Sequence, residues 1–368
     1  MSGMNFAFTG EQLALGATVR DVLRDHCPPA ALRTERRPAW EQLAALGFFG
    51  LLLPPEADGL GLGLTDVLPA LEETGRACLP GPVVETAVLA PYLPAGVPKL
   101  ATGSVCVAAL PPGQAYAADA DLADLLVVVR EGGARLVPAR SLRAAARPGV
   151  DPCRPLFEVG FDESEDLAGP AGPAVRAATV ATAAQLVGVA RELLSVTVAY
   201  ARARTQFGAP IGSFQAVKHQ LADVAVAVEF AAPLVHRAAL SSDAASARDA
   251  GAERDAGAER DAGGERDAGA ERDAGGERDA GAERDAGGER DAGAERDASA
   301  AKVAAGEAAA AAARAALQIH GAIGYTEELD LRFWLARAWS LAAAYGTTAA
   351  HRERLRTAIV DGHPSRWP

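Results

Sequence analysis

Residues 202–220 read RARTQFGAPIGSFQAVKHQ and join two long segments whose apolar patterning predicts helices. Gly208, Pro210 and Gly212 indicate a turn between those helices. An arginine offers a forked set of donors, and N–H groups at a helix start add partial positive charge, so this corner suits a phosphate group. A plain basic corner on the surface of a helical bundle is the alternative interpretation.

Composition and patterning predict a mainly α protein with a small central β-domain. The 368 residues are 49% hydrophobic and 5% aromatic, and alanine and leucine dominate, which is typical of helical cores. Val-rich runs at 104–110, 125–130, 135–138 and 156–161 are bounded by Gly, Pro and Asp and predict short strands. We therefore expect an N-terminal helical domain (1–101), a reduced β-domain (102–168) and a C-terminal helical bundle (169–368) interrupted by an insert at 246–299.

Charge and cysteine usage exclude several classes of function. The net charge of −12 argues against a nucleic-acid partner. The four cysteines are isolated, which indicates reduced thiols and a cytoplasmic protein. The sequence contains no uninterrupted apolar run of about 20 residues, so we expect no membrane helix. His219, His320 and His351 have no neighbour at ligand spacing, so we expect no metal site.

A tandem hexad, Arg-Asp-Ala-Gly-(Ala/Gly)-Glu, occupies residues 248–297. It holds nine Arg, nine Asp and eight Glu, and therefore supplies −8 of the net charge of −12. Its Asp and Glu fall at i, i+4 as a like-charge pair, and every unit contains glycine. The pattern predicts a solvated, mostly disordered and dispensable insert without a site of its own. A charged interaction tether is the alternative.

Three segments, in this order, resemble the acyl-CoA dehydrogenase family. The first is Arg-x-x-Phe-Gly starting at Arg204, followed by Ile-Gly-x-Phe-Gln ending at Gln215. The second starts at Gln318 and resembles the family's Gln-x-x-Gly-Gly-x-Gly-Tyr-x-x-Glu segment. The third, Tyr-Gly-Thr starting at Tyr345, falls where the family carries Glu-Gly-Thr. The resemblance covers nearly the whole chain and is weakest between residues 101 and 170.

The resemblance implies a fold, a cofactor and partners. The implied fold has an N-terminal helical domain, a β-barrel-like middle domain and a C-terminal four-helix bundle. FAD is the implied cofactor, an acyl-CoA thioester the implied substrate, and an electron-transfer flavoprotein a candidate electron acceptor. The implied assembly is a homo-oligomer, or a hetero-oligomer with a second family chain, in which part of the FAD lies against a partner subunit. The implied cofactor-binding residues are Arg204, Phe207, Gln215, Gln318, Gly321 and Thr347.

The residue expected to act as the base departs from the family. Family members remove a proton beside the thioester and pass a hydride to the flavin, with a Glu directly before Gly-Thr as base. Here that position is Tyr345, a phenol that is almost wholly protonated at neutral pH. A minority of the family places the Glu at a position that maps to about Ala178, where no carboxylate stands. Tyr345 is thus either an unusual catalytic group or an ordinary aromatic residue.

The predicted β-domain also departs from the family. The family's Thr-Glu-Pro…Gly-Ser-Asp loop and Lys-x-(Trp/Phe)-Ile-x-Asn segment have no counterpart, because the first strand passes directly into Leu110-Pro111-Pro112-Gly113.

Three hypotheses follow. The chain is an FAD-linked acyl-CoA dehydrogenase subunit that acts within an oligomer, a non-catalytic companion that completes the FAD site of a related catalytic chain, or a helical scaffold without flavin. Some bacterial members of the family form two-gene complexes of the second kind, often acting on steroid or polyketide-like thioesters.

Overall fold

The computed structural model describes residues 7–93, 97–130, 132–262 and 276–360 and confirms the mainly α fold around a small β-domain. Short helical turns occupy Glu85–Leu89 and Ala90–Tyr92. The eight α-helices of the described chain are α1 (Gly10–His26), α2 (Trp40–Ala45), α3 (Leu64–Arg76), α4 (Gly172–Ala203), α5 (Gln215–Ala262), α6 (Gly276–His320), α7 (Leu331–Ala343) and α8 (Thr348–Val360).

The β-domain consists of two small sheets that share a core. The described strands are β1 (Val107–Leu110), β2 (Ala117–Ala118), β3 (Leu125–Arg130), β4 (Gly133–Pro138), β5 (Leu142–Arg147), β6 (Leu156–Phe161) and β7 (Glu165–Leu167), with β8 (Thr205–Gln206) and β9 (Ala209–Pro210) forming a separate two-stranded hairpin. The sheet orders are β1-β3-β4-β7, in which β1 and β3 are parallel, and β2-β6-β5. Leu126 and Val137 from one sheet pack with Phe157 from the other.

Four strands of the β-domain follow the Val-rich runs, whereas β2, β5 and β7 have no such signal in the sequence. Strand β5 reads LRAAAR, and neither Ala nor Arg favours a strand. It is held instead by its pairing with β6 along all six residues. Arg143 and Arg147 of β5 also pair with Asp162 and Glu158. Tertiary pairing therefore overrides the local preference of this segment.

Helix α4 is the central element of the C-terminal bundle and packs against α3, α5, α6 and α7. Its backbone touches that of α3, where a Cβ on Gly188 would stand 2.0 Å from the Glu72 carbonyl oxygen. A Cβ on Gly75 would stand 2.1 Å from the Gln185 carbonyl oxygen. Only glycine permits such an approach at these two positions.

Two segments, Gly172–Ala203 and Gln215–Ser246, are long and apolar enough to span a membrane by length and composition alone. The apolar window of the first is 94% buried inside the protein, which is the behaviour of a core helix. The window of the second is only 39% buried, so α5 carries an apolar surface that the rest of the described chain leaves uncovered.

A capping box closes the start of α1, as the Thr-x-x-Gln pattern of residues 9–12 predicts. The backbone N–H of Gln12 donates to Thr9 Oγ1 at 3.2 Å, and the backbone N–H of Thr9 donates to Gln12 Oε1 at 2.8 Å. These two bonds satisfy N–H groups that the first turn of a helix leaves free.

The prediction of a disordered insert is wrong for the described part of the repeat. Helix α5 continues into the hexads as far as Ala262, and α6 begins within them at Gly276. Residues 263–275 lie outside the described residues. The last hexads also pack against the body, since Ala294 and Ala298 are 1% and 0% exposed. A bundle built from small side chains can bury alanine, so a repeat without large apolar residues can still pack.

The Asp and Glu of one hexad bind a buried arginine. Arg176 near the start of α4 is only 2% exposed, and its Nη1 lies 2.8 Å from Asp291 Oδ1 and 3.2 Å from Glu295 Oε1. One hexad further, Asp297 accepts hydrogen bonds from Arg237 Nε at 3.0 Å and Ser241 Oγ at 2.6 Å. The i, i+4 spacing of like charges, unfavourable in an isolated helix, here places two carboxylates on one guanidinium.

We expect the double substitution Asp291→Ala and Glu295→Ala to destabilise the protein by about 3 kcal/mol, because it leaves the buried Arg176 charge without a partner. Urea unfolding measures the change. The matched control carries Asp255→Ala and Glu259→Ala, the same pair from an earlier hexad. Equal losses of unfolding free energy in the two variants would mean that Asp291 and Glu295 make no specific contribution at Arg176.

Candidate functional site

The predicted phosphate corner is a tight hairpin between α4 and α5. Arg204 follows the last residue of α4, and its carbonyl oxygen accepts from the Ile211 N–H at 2.8 Å. The tip consists of Phe207 and Gly208, whose φ angles of 54° and 80° lie in the left-handed region. Gly212 allows a close approach where the chain returns, because a Cβ there would stand only 3.0 Å from the Ala201 carbonyl oxygen.

The corner directs its side chains away from the protein. Phe207 is 91% exposed, and its ring meets only the edge of Phe214 at a centroid distance of 6.2 Å. Arg204 and Gln215 are exposed as well. Among the described residues, no hydrogen bond or ion pair engages the Arg204 guanidinium. An uncovered cation, an aromatic ring and an amide thus stand together on one surface.

Gln318 and Gly321 lie at the same end of the bundle as this corner. The ring of Tyr200 in the last turn of α4 stacks on His320, the last residue of α6, with centroids 4.1 Å apart. Gln318 and Gly321 are exposed beside that stack. Gly321 has a φ of 64°, and a Cβ added there would meet no atom within 4 Å. Five of the six predicted cofactor residues therefore share one exposed end.

Thr347, the sixth predicted cofactor residue, lies elsewhere. It precedes α8 and caps it, since its Oγ1 accepts from the Ala350 N–H at 3.2 Å. The adjoining Gly346 contacts Lys302 of α6. Lys302 is 16 residues before Gln318 along the helix, which corresponds to roughly 24 Å at 1.5 Å per residue. The structure thus divides the six candidates between two separate places.

Tyr345 is buried in the core, with an exposed fraction of 1%. Its hydroxyl donates a hydrogen bond of 3.0 Å to Oε1 of Glu85, which begins the buried turn Glu85–Leu89. Arg154 Nη2 lies 3.9 Å from the same carboxylate oxygen. Burial, together with the nearby Glu85 charge, holds the pKa of the Tyr345 phenol well above its usual value. The phenol is therefore a hydrogen-bond donor and cannot act as a base at neutral pH.

The space beside the Tyr345 hydroxyl is almost filled. The cavity there has a volume of about 10 Å³, no more than one water molecule requires. Glu85, Arg154, Gln185 and Arg337 supply much of its lining. Ala178, the other position for a family base, is 0% exposed in α4. The described chain thus has no room for an acyl group at the Tyr345 hydroxyl, and the Ala178 side chain is enclosed by the core.

Sequence reasoning missed Glu85 because its partner Tyr345 lies 260 residues away. A signal was available, since Glu85 is the only charged residue in the run PVVETAVLAPY and helices with such a pattern are buried. The carboxylates nearest in sequence to the family motifs do not line the space at Tyr345; these are Glu192, Glu327 and Glu328.

An open cleft of about 430 Å³ lies next to this closed space. It separates residues 148–156 of the β-domain from the end of α7. Val150 and Trp339 are its exposed apolar rim, and Arg154 lies inside it with its Nη1 3.4 Å from Ser340 Oγ. Gln114, in the short segment after β1, donates to the Ala343 carbonyl oxygen at 2.7 Å. The shortened loop is thereby tied to α7 across one side of the cleft.

Two further ion pairs make the surroundings of Glu85 strongly polar. Arg337 Nε donates to Asp151 Oδ2 at 2.5 Å, and both side chains are nearly inaccessible. Arg36 Nη2 donates to Asp119 Oδ1 at 3.0 Å. Burial raises the pKa of the Asp119 carboxyl to about 7, although Arg154 and Arg36 oppose the shift.

No group of three potential metal ligands occurs among the residues that the structure describes.

Two models of one protein family match most of this chain. The family model described as acyl-CoA dehydrogenase, C-terminal domain, matches residues 176–256 and 278–360, and the N-terminal domain model of the same family matches residues 9–96. These matches cover more than half of the chain. The chain belongs to the acyl-CoA dehydrogenase family.

Relatives and solved structures agree with this assignment. The chain is 35% identical over 242 residues to the acyl-CoA dehydrogenase IpdE2 of Mycobacterium tuberculosis, which covers 61% of this chain and 74% of IpdE2. The ChsE4-ChsE5 complex of Mycobacterium tuberculosis has the same fold, with a TM-score of 0.73, 19% identity and 98% and 100% of the two chains covered. The FAD complex of PigA matches with a TM-score of 0.71, 17% identity and 97% and 99% coverage.

FAD is the cofactor of this family, and the exposed end of the bundle fits part of it. The uncovered guanidinium of Arg204 can donate two hydrogen bonds to a pyrophosphate. The exposed amides of Gln215 and Gln318 can bind further polar groups, and the open backbone at Gly321 permits a close approach. The filled space at Tyr345 does not fit a flavin ring or a substrate, so only the exposed end fits the cofactor.

We expect the stability of the protein to fall as the pH rises from 5 towards 7, because of Asp119. An unfolded aspartate titrates near pH 4. Between that value and about 7, the folded protein binds a proton that the unfolded chain lacks, so the stabilisation is complete at low pH and is lost as the pH passes the folded pKa. In urea unfolding, wild type should lose about 1.4 kcal/mol per pH unit relative to Asp119→Asn. Parallel profiles would contradict a raised pKa.

Proposed function

We propose that this chain is a subunit without a catalytic base in a heteromeric, FAD-dependent acyl-CoA dehydrogenase, and that it completes the flavin site of a related catalytic chain. The observation that carries the proposal is the hydrogen bond of 3.0 Å from the Tyr345 phenol to Glu85, where the family places its base. The complex oxidises an acyl-CoA thioester, and the partner chain supplies the base.

Removal of the proton beside a thioester needs an ionised group that can reach the substrate carbon. Tyr345 keeps its proton because of its burial, and the hydrogen bond occupies its hydroxyl. Glu85 is a carboxylate, but it is 6% exposed and faces a cavity of about 10 Å³. A substrate carbon cannot reach either group without displacement of the core.

The exposed corner supports a role in a neighbouring flavin site. Within the described part of the chain, Arg204 makes no hydrogen bond or ion pair, and the Phe207 ring contacts only the edge of Phe214. Thr347 lies roughly 24 Å along α6 from Gln318, at a rise of 1.5 Å per residue. One chain therefore cannot bind a cofactor at the turn before Thr347 and also contact it through Arg204. A second chain has to supply the contact made by a residue such as Arg204.

The exposed apolar face of α5 supports association with that second chain. Val226, Phe230 and Leu234 are 53%, 74% and 39% exposed and follow one another at intervals of four residues. Such a stripe is unusual on the surface of a monomer. Because α5 begins at Gln215, the stripe extends from the corner, and one partner can cover both.

A second candidate function is catalysis by this chain itself, with FAD-linked dehydrogenation of an acyl-CoA inside an oligomer. The open cleft of about 430 Å³ beside Trp339 and Arg154 favours it, because the cleft has room for part of a ligand next to the family's catalytic turn. Among the described residues that line the cleft, Asp151 is the only carboxylate, and Arg337 engages it at 2.5 Å. A helical scaffold without flavin is disfavoured by the five cofactor residues that share one exposed end.

We expect the purified chain alone not to bleach flavin with acyl-CoA thioesters, and a mixture with a related chain that carries the base Glu to do so. A positioned base typically contributes roughly 10²–10⁴-fold to the rate. Tyr345→Phe should leave bleaching by the mixture unchanged. The proposal fails if the lone chain bleaches its flavin and Tyr345→Phe abolishes that reaction.

We expect Arg204→Ala to weaken flavin binding by the mixed complex at least about tenfold, since a charge-assisted hydrogen bond contributes roughly 1.5–3 kcal/mol. Equilibrium dialysis of FAD against the purified complex measures the affinity. Arg202→Ala, which removes an exposed arginine two residues earlier, is the matched control. Unchanged FAD retention in Arg204→Ala would make this residue a plain surface cation.

A further inference from the structure

The turn that carries Tyr345 is held by a lysine that none of the family motifs includes. Lys302 of α6 is 0% exposed, although lysine is rarely buried without a charged partner. Its Nζ donates to the carbonyl oxygens of Ala342 at 3.0 Å and Gly346 at 3.2 Å. These two carbonyl groups flank Tyr345, so one amine bridges both sides of the turn.

Ser299 and His351 hold the carbonyl group of Tyr345 itself. His351 Nε2 lies 3.1 Å from the Tyr345 carbonyl oxygen, and its Nδ1 lies 3.1 Å from Ser299 Oγ. Burial lowers the pKa of His351 to about 3, so the ring is neutral. A neutral ring with its proton on Nε2 donates to Tyr345 and accepts from Ser299. We call Ser299, Lys302 and His351 the turn clamp.

The turn requires such support because its backbone is strained. Tyr345 has a φ of 55° and Gly346 a φ of 108°. A bulky residue is disfavoured in the left-handed region because its Cβ crowds the following carbonyl oxygen. A Cβ on residue 346 would also stand 2.8 Å from His351 Nε2. The hydrogen bonds of the turn clamp therefore hold the conformation that directs the Tyr345 phenol towards Glu85.

We propose that Lys302 is the positioning residue that keeps the Tyr345 side chain in the closed space beside Glu85. Protonation of Lys302 loosens the turn at residues 342–347. This inference rests on the proposed function in one respect, namely that the closed space beside Glu85 is what excludes substrate from this chain.

The surroundings of Lys302 favour a neutral amine. Among the described residues its hydrogen-bond partners are two carbonyl oxygens, and a neutral amine has two N–H groups to match them. The other titratable groups that face it are Arg154, Arg354 and the neutral His351, none of which offers negative charge. Burial, with the two arginines, lowers the pKa of Lys302 to about 7.

The sign of the pH effect follows from this shift. A lysine released from the fold titrates near 10.4. We call the turn closed when Lys302 is buried against it and open when Lys302 is exposed to water. At pH 8 the closed turn holds a neutral amine, whereas below pH 7 the closed turn must bury a charged one. The closed state is therefore favoured as the pH rises from 7 towards 10 and is weakest below 7. Between pH 8 and pH 6 the equilibrium for opening should increase about tenfold.

Hydrogen exchange on the full chain alone, without flavin or partner, tests the proposal. The measured quantity is the protection of the backbone amides of residues 342–347, corrected for the intrinsic dependence of exchange on pH. We expect about tenfold less protection at pH 6 than at pH 8 in wild type. The exposed Lys218 provides the matched control, and Lys218→Met should keep that dependence.

Two variants separate positioning from mere packing. Lys302→Met and Lys302→Gln should both lose the pH dependence, and Lys302→Gln, which keeps two N–H donors, should protect the turn better at pH 8. Asp119→Asn should keep the dependence, which excludes a contribution from Asp119, whose pKa is also raised to about 7. A flat profile in wild type, or an unchanged slope in Lys302→Gln, would overturn the proposal. Neither result affects the test of the proposed function, which measures flavin bleaching in the mixed complex.

Discussion

The contact between the backbones of α3 and α4 is the constraint on which the rest of the structure depends. Gly75 and Gly188 let the two helices touch without intervening side chains. The Gln185 side chain then reaches Thr74 Oγ1 at 3.0 Å and fixes the register of the pair. Because α4 is nearly enclosed, its register determines where its two ends lie. One end presents the corner at Arg204, and the other places Ala178 in the core.

The fold and the exposed part of the site could be predicted because their signals are local. The corner around Arg204 and the segment at Gln318 are short motifs, and the capping box at Thr9 is a pattern of four residues. The Val-rich strands could likewise be located from their own residues. Each of these features depends on neighbours in the sequence, so no knowledge of tertiary packing was needed.

The remainder could not be predicted because it depends on distant partners. Glu85 meets Tyr345 across 260 residues, and Lys302 acquires its role from carbonyl groups about 40 residues later. Strand β5 is a strand only because β6 pairs with it. The repeat was misjudged for the same reason, since Arg176, which gives the carboxylates of the last hexad their partner, is 115 residues from Asp291.

The hexads that form α5 and α6 have a geometric consequence for the length of the chain. Six residues advance an α-helix by about 9 Å and turn it by about 600°, so each added hexad places its carboxylate pair about 240° further around the axis. Asp291 and Glu295 are fixed relative to α4 by the residues that follow them. Gain or loss of repeat units before them changes the length of the arm and leaves that junction in place. A repeat of this kind can therefore change its copy number without altering the contacts that Asp291 and Glu295 make with Arg176.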